Sequence, residues 1–181
     1  KGWSASPCCA LVMLSSLALQ RIEQTQSSSF ACDLKKWLQI MQAYEQGGHA
    51  YHATMPSDSL ARFNEVMKET QAYGFDKVRA EQQALGDRVR AMLTGKGIKS
   101  VAAAGFQAPG VVVSYTDDAD IKNGKKFAHH GLQIAAGVPL QCDEPADFQT
   151  FRIGLFGLEK LRNIERTIST LGQALDEVMV G

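Results

Sequence analysis

Arg152 stands in "TFRIGLFG", a positive charge between Phe151 and Ile153 on a stretch whose apolar residues predict a well-buried strand. A guanidinium buried without an anion is costly, so this one needs a partner. Two kinds fit. An acidic side chain would make it an internal ion pair. A substrate carboxylate would use its planar fork, which offers two parallel hydrogen bonds. The residues alone leave the two open. Taken the same way, Lys1 is a terminal lysine and Tyr51 a loop aromatic.

The other chemistry-bearing residues point to less. His49 and His52 lie three apart in an irregular segment, and His129 and His130 are the remaining histidines. A metal site needs three or four converging ligands, so no metal is expected. "TGKGIKS" at 94–100 lacks the earlier glycine of a phosphate loop and follows a helix instead of a strand. No serine or cysteine sits in a nucleophile elbow. The four cysteines, Cys8, Cys9, Cys32 and Cys142, contain no C-x-x-C, which suits neither zinc nor dithiol redox chemistry. They read as buried or incidental thiols of a reducing, cytoplasmic compartment. Lys plus Arg and Asp plus Glu number 19 each, so the formal net charge is zero. Such a chain carries no electrostatic footprint for nucleic acid or an anionic membrane. Its longest apolar run, around "CCALVML", is far too short to span a bilayer.

The elements that must hold these residues follow from periodicity and caps. Ala10–Leu14 predicts a buried strand, with Ser15 or Ser16 capping a helix through Leu17, Leu19 and Ile22. Asp33 caps a second helix that "QGG" at 46–48 ends. Pro56 forbids helix before it, and Ser57 or Asp58 starts the next one, which Gly74 stops. A helix from near Asp76 places Val78, Leu85, Val89 and Met92 on one face. The period then changes. "GVVVSYT", "LQIAAGV" and "FRIGLFG" read as strands, and 119–131 as helix. Leu158, Leu161, Ile164, Ile168, Leu171, Leu175 and Val178 predict one long amphipathic helix. The class is α/β or α+β, a small sheet covered by helices. The first half has only one strand, and a lone strand is not stable. Residues 1–73 therefore read as the tail of a larger domain whose sheet lies upstream, and 74–181 as a small C-terminal domain.

Three segments, taken in order and spacing, resemble the class V family of pyridoxal-phosphate aminotransferases, most closely its alanine/serine–glyoxylate (or pyruvate) branch. "KGWSASPCCALVMLS" resembles the stretch that begins at the cofactor-binding lysine. "YHATMP" resembles a loop with a Tyr and, three residues on, a Thr. "FRIGLFG" followed by a long helix resembles the strand carrying the substrate-carboxylate arginine. The resemblance implies the C-terminal portion of a type I PLP-dependent transferase fold, belonging to a longer homodimeric protein with pyridoxal 5'-phosphate as cofactor. It implies transamination between a small amino acid and a 2-oxo acid such as glyoxylate or pyruvate. Lys1 would form the imine with the cofactor aldehyde and then move the Cα proton as base and acid. Arg152 would hold the substrate α-carboxylate. Tyr51 and Thr54 would bind the cofactor phosphate of the partner subunit. The alternative within the superfold is a lyase such as a cysteine desulfurase, for which Cys142 is the candidate thiol. A different class of alternative is a non-catalytic structural fragment.

Overall fold

A computed structural model describes residues 2–180, with the side chain of Val180 excepted. The chain divides into two compact units. One joins the N-terminal residues through Ser6 to everything from Phe63 onward; the other is Pro7–Arg62.

The first unit is built around an antiparallel sheet of order β1-β3-β2, with β1 Val111–Tyr115, β2 Ala135–Ala136 and β3 Thr150–Gly154. β3 is central. Val113 and Ala135 face Arg152 in register from the two sides. Alternation of side chains along a strand separates two faces. Val112, Phe151 and Ile153 point to a core completed by Leu85, Val89 and Leu93 of α4 (Phe75–Gly95), Phe127 of α6 (Lys125–His129), and Leu171, Leu175 and Val178 of α8 (Ile164–Val180). Phe127 and Phe151, both fully buried, meet with ring centroids 5.7 Å apart. Each such side chain contributes about 1.5–3 kcal/mol through its burial. Arg152 and Gly154 alternate onto the opposite face, where Arg152 is only half-buried. The deeply buried guanidinium expected from the sequence is therefore corrected. Its apolar sequence neighbours fill the core from one side of the strand while the arginine leaves by the other.

α3 (Ser57–Tyr73) ends and α4 begins at Gly74, whose φ of +103° suits glycine. α4 is fastened across the sheet by Gln82, whose side-chain amide donates to the carbonyls of Pro109 (3.1 Å) and Leu155 (3.2 Å). The stretch expected as one helix at 119–131 is two short ones, α5 (Ala119–Lys122) and α6, parted by Gly124 at φ +82°. The long C-terminal helix is also divided, into α7 (Leu158–Leu161) and α8. The Asn163 backbone N–H bonds back to Lys160 (3.2 Å), and its carbonyl then accepts from the Thr167 backbone N–H (2.9 Å), so it opens a new helix. Asn is a poor helix-interior residue and a good starter.

The second unit holds α1 (Ser16–Gln24) and α2 (Leu34–Glu45). Their caps are those expected: Ser15 accepts from the Ala18 N–H and Asp33 from the Lys36 N–H. Ala10–Leu14, expected as a buried strand, is neither strand nor buried; Leu11, Val12 and Met13 are exposed. A strand needs a neighbour for its backbone groups, and among the described residues none pairs with it. All four cysteines are free, and three of them are exposed rather than buried.

Candidate functional site

β3 carries Arg152 on the central strand, so its backbone is bonded on both sides and its Cα is fixed. The side chain reaches across β2, where Nε donates to the carbonyl of Ala136 at 2.8 Å. Among the described residues no carboxylate pairs with it. With Nε occupied by a neutral acceptor, the two terminal nitrogens keep their donors for an outside anion. The internal ion pair that the sequence left open is not formed within the described residues.

The segment that follows Lys1 belongs to the same unit as Arg152. Lys1 itself lies outside the described residues. Trp3 packs edge-on against Phe63 (centroids 5.8 Å apart) and Phe75 (6.4 Å). Ser4 packs against Gly157, just beyond β3.

Tyr51 and Thr54 lie in the other unit, on the irregular segment before α3. Their hydroxyl oxygens are 3.0 Å apart, and Tyr51 is 76% exposed. Next to them His52 is tied down. One ring nitrogen meets the Phe30 carbonyl at 3.0 Å, its ring lies 4.1 Å from that of Phe30, and Trp37 approaches edge-on at 5.1 Å. Trp37 in turn donates to the Ala31 carbonyl at 2.8 Å. This cluster makes His52 a support of the loop, and among the described residues no group of His, Cys, Asp and Glu could hold a metal ion. Two exposed hydroxyls this close can both turn their protons toward one anion, which suits a phosphate.

One polar device carries no sequence signature. Glu144, between β2 and β3, accepts the backbone N–H groups of Leu140 (2.6 Å), Gln141 (2.9 Å) and Cys142 (2.8 Å). These donors, Cys142 foremost, hold its carboxyl down to about 2. The turn passes through positive φ at Gln141 (+58°) and Asp143 (+61°). Cys142 thus sits in a pinned turn, with its own N–H engaged, which lends nothing to a role as a swinging nucleophile. A glutamate after an aspartate and before a proline is too common a pattern to have revealed this.

No protein-family model matches the chain, and no curated protein does. Solved structures do. An alanine–glyoxylate aminotransferase from Nostoc sp. superposes with a TM-score of 0.67 at 15% identity, over 90% of this chain and 42% of that one. An aspartate aminotransferase of subgroup IV from Thermus thermophilus gives 0.67 at 18% identity, over 91% and 43%. A ureidoglycine–glyoxylate aminotransferase from Bacillus subtilis gives 0.63 at 17%, over 88% and 39%. At these identities the likeness is one of fold. The chain is mixed α/β with the fold of part of an aminotransferase, consistent with a C-terminal portion, and it spans 39–43% of the length of these structures. No described helix is long and apolar enough to cross a membrane.

Proposed function

We propose that this chain is the C-terminal part of a class V, pyridoxal-phosphate-dependent aminotransferase that exchanges an amino group between a small amino acid and glyoxylate or pyruvate. It would act as a cytoplasmic homodimer, with residues 1–73 the tail of its large domain and 74–181 its small one. The observation that carries the reading is Arg152: a central-strand guanidinium, half-buried, anchored through Nε, with both terminal nitrogens free of acidic partners among the described residues. Two of the structural neighbours are named as glyoxylate aminotransferases, which supports the choice of acceptor.

The residues present fit the cofactor in one respect, the hydroxyl pair of Tyr51 and Thr54, which would bind its phosphate in the partner subunit's site. When bound, the cofactor supplies an electron sink for the substrate Cα carbanion. The rest falls to this chain. Arg152 grips the α-carboxylate and so fixes the direction of the Cα–H bond. The ε-amine of Lys1 takes the Cα proton as base and passes it on as acid. Arg152→Ala should lower kcat/KM for an amino acid by about 1.5–3 kcal/mol, the range for hydrogen bonds to a charged group. The decarboxylated amine of the same substrate should lose far less. Equal losses for both would mean that Arg152 acts only in structure.

A further inference from the structure

Arg152 is useful as a fork only if it is held, and the atom that holds it is a main-chain carbonyl. Ala136 lies on a two-residue edge strand whose side chains are exposed, so its own packing does not fix it. The next residue does. Gly137 follows β2 opposite Thr150, and a Cβ built there would lie 2.5 Å from the Thr150 carbonyl carbon and closer still to its oxygen. No side chain tolerates that approach. β3 cannot yield, because Thr150, Phe151 and Ile153 are buried. The exposed β2 would move instead and carry the Ala136 carbonyl away from Arg152.

We infer that Gly137 is a positioning residue for Arg152: its missing side chain lets β2 close on β3, so that the Ala136 carbonyl clamps Nε and leaves both terminal nitrogens free to meet a substrate carboxylate. This rests on the reading of Arg152 as the carboxylate fork. The clamp supplies one hydrogen bond to a charged donor. Its loss frees the guanidinium to rotate and raises the cost of ordering it on binding.

The test compares Gly137→Ala, Arg152→Ala and the double variant in the complete enzyme, with an amino acid and its decarboxylated amine as substrates. Gly137→Ala should raise KM for the amino acid about ten-fold, as expected for one hydrogen bond to a charged group, with kcat little changed and the amine little affected. In the Arg152→Ala background Gly137→Ala should add nothing for the amino acid, because the group it positions is gone. Additive loss, equal loss for the amine, or wild-type behaviour of Gly137→Ala overturns the clamp. Equal losses for amino acid and amine in Arg152→Ala overturn the carboxylate reading beneath it. A second measurement needs neither turnover nor a folded variant. In the wild-type 181-residue chain the Arg152 Nε–H should exchange with solvent about ten-fold more slowly than that of exposed Arg79, as one good hydrogen bond predicts. Equal exchange rates overturn the clamp independently of any substrate.

Discussion

Tyr51 and Thr54 share one hydrogen bond at 3.0 Å while standing in the open, an arrangement that spends two hydroxyls on each other until something better arrives. A phosphate is better, because a hydrogen bond to a charged acceptor contributes about 1.5–3 kcal/mol. Tyr51→Phe combined with Thr54→Ala should therefore raise the dissociation constant for pyridoxal phosphate by at least ten-fold in the complete enzyme. Equilibrium dialysis that finds the constant unchanged would remove the pair from the cofactor site. Borohydride reduction of the holoenzyme should place the cofactor on Lys1, and a reduced adduct on Lys35 or Lys36 would refute that assignment. At this scale the sequence was informative where a side chain was out of place. A charge between Phe151 and Ile153 is visible in one dimension. Its clamp is not, because a backbone carbonyl is the same at every residue and only the fold says that the one at Ala136 is near.

The loop joining β2 to β3 is organised by Glu144, so its order should follow the titration of that carboxyl. A carboxylate held at about 2, below the ordinary 4.5, releases its proton more readily in the folded chain than in the unfolded one. The folded form therefore binds fewer protons, and the stabilisation is fully present above 4.5 and is lost as pH falls toward about 2. Protection of the Leu140, Gln141 and Cys142 amides, corrected for intrinsic exchange, should fall across that window. Glu144→Gln should remove the pH dependence while the β1–β3 amides keep theirs. A wild-type loop whose protection is flat over the same range would mean that the carboxylate does not organise it. The elements themselves were legible where local chemistry decides them. Ser15 and Asp33 cap the helices that their side chains announce, and Gly74 breaks where expected. The apolar stripe from Leu158 to Val178 continues through a break that periodicity does not register, because Asn163 changes the backbone bonding without changing the face.

Across the whole molecule, burial is divided unequally. Every member of the hydrophobic core, from Leu85 to Val178, belongs to the first unit. Within 7–62 no described residue is buried, and Leu11, Val12, Met13, Leu17, Phe30, Met41 and Tyr44 all lie exposed. The run Ala10–Leu14 looked like a strand because apolar, extended chain is what a buried strand requires. Sequence supplies that half of the requirement, and a neighbouring strand must supply the other. The first unit has an apolar core on which to stand alone, whereas the second offers apolar surface that wants covering. The 181-residue chain by itself should therefore behave as a folded domain bearing a loose segment. Amides in β1, β3, α4 and α8 should be strongly protected, those in α1 and α2 should exchange at near-intrinsic rates, and proteases should cut within 7–62 first. The same chain should not turn over alanine with glyoxylate above a cofactor-only blank, since no described residue of 7–62 is buried, Tyr51 and Thr54 included. Uniform protection of both units would show that the second is ordered without further covering, and measurable transamination by the pure chain would show that these residues carry a complete site.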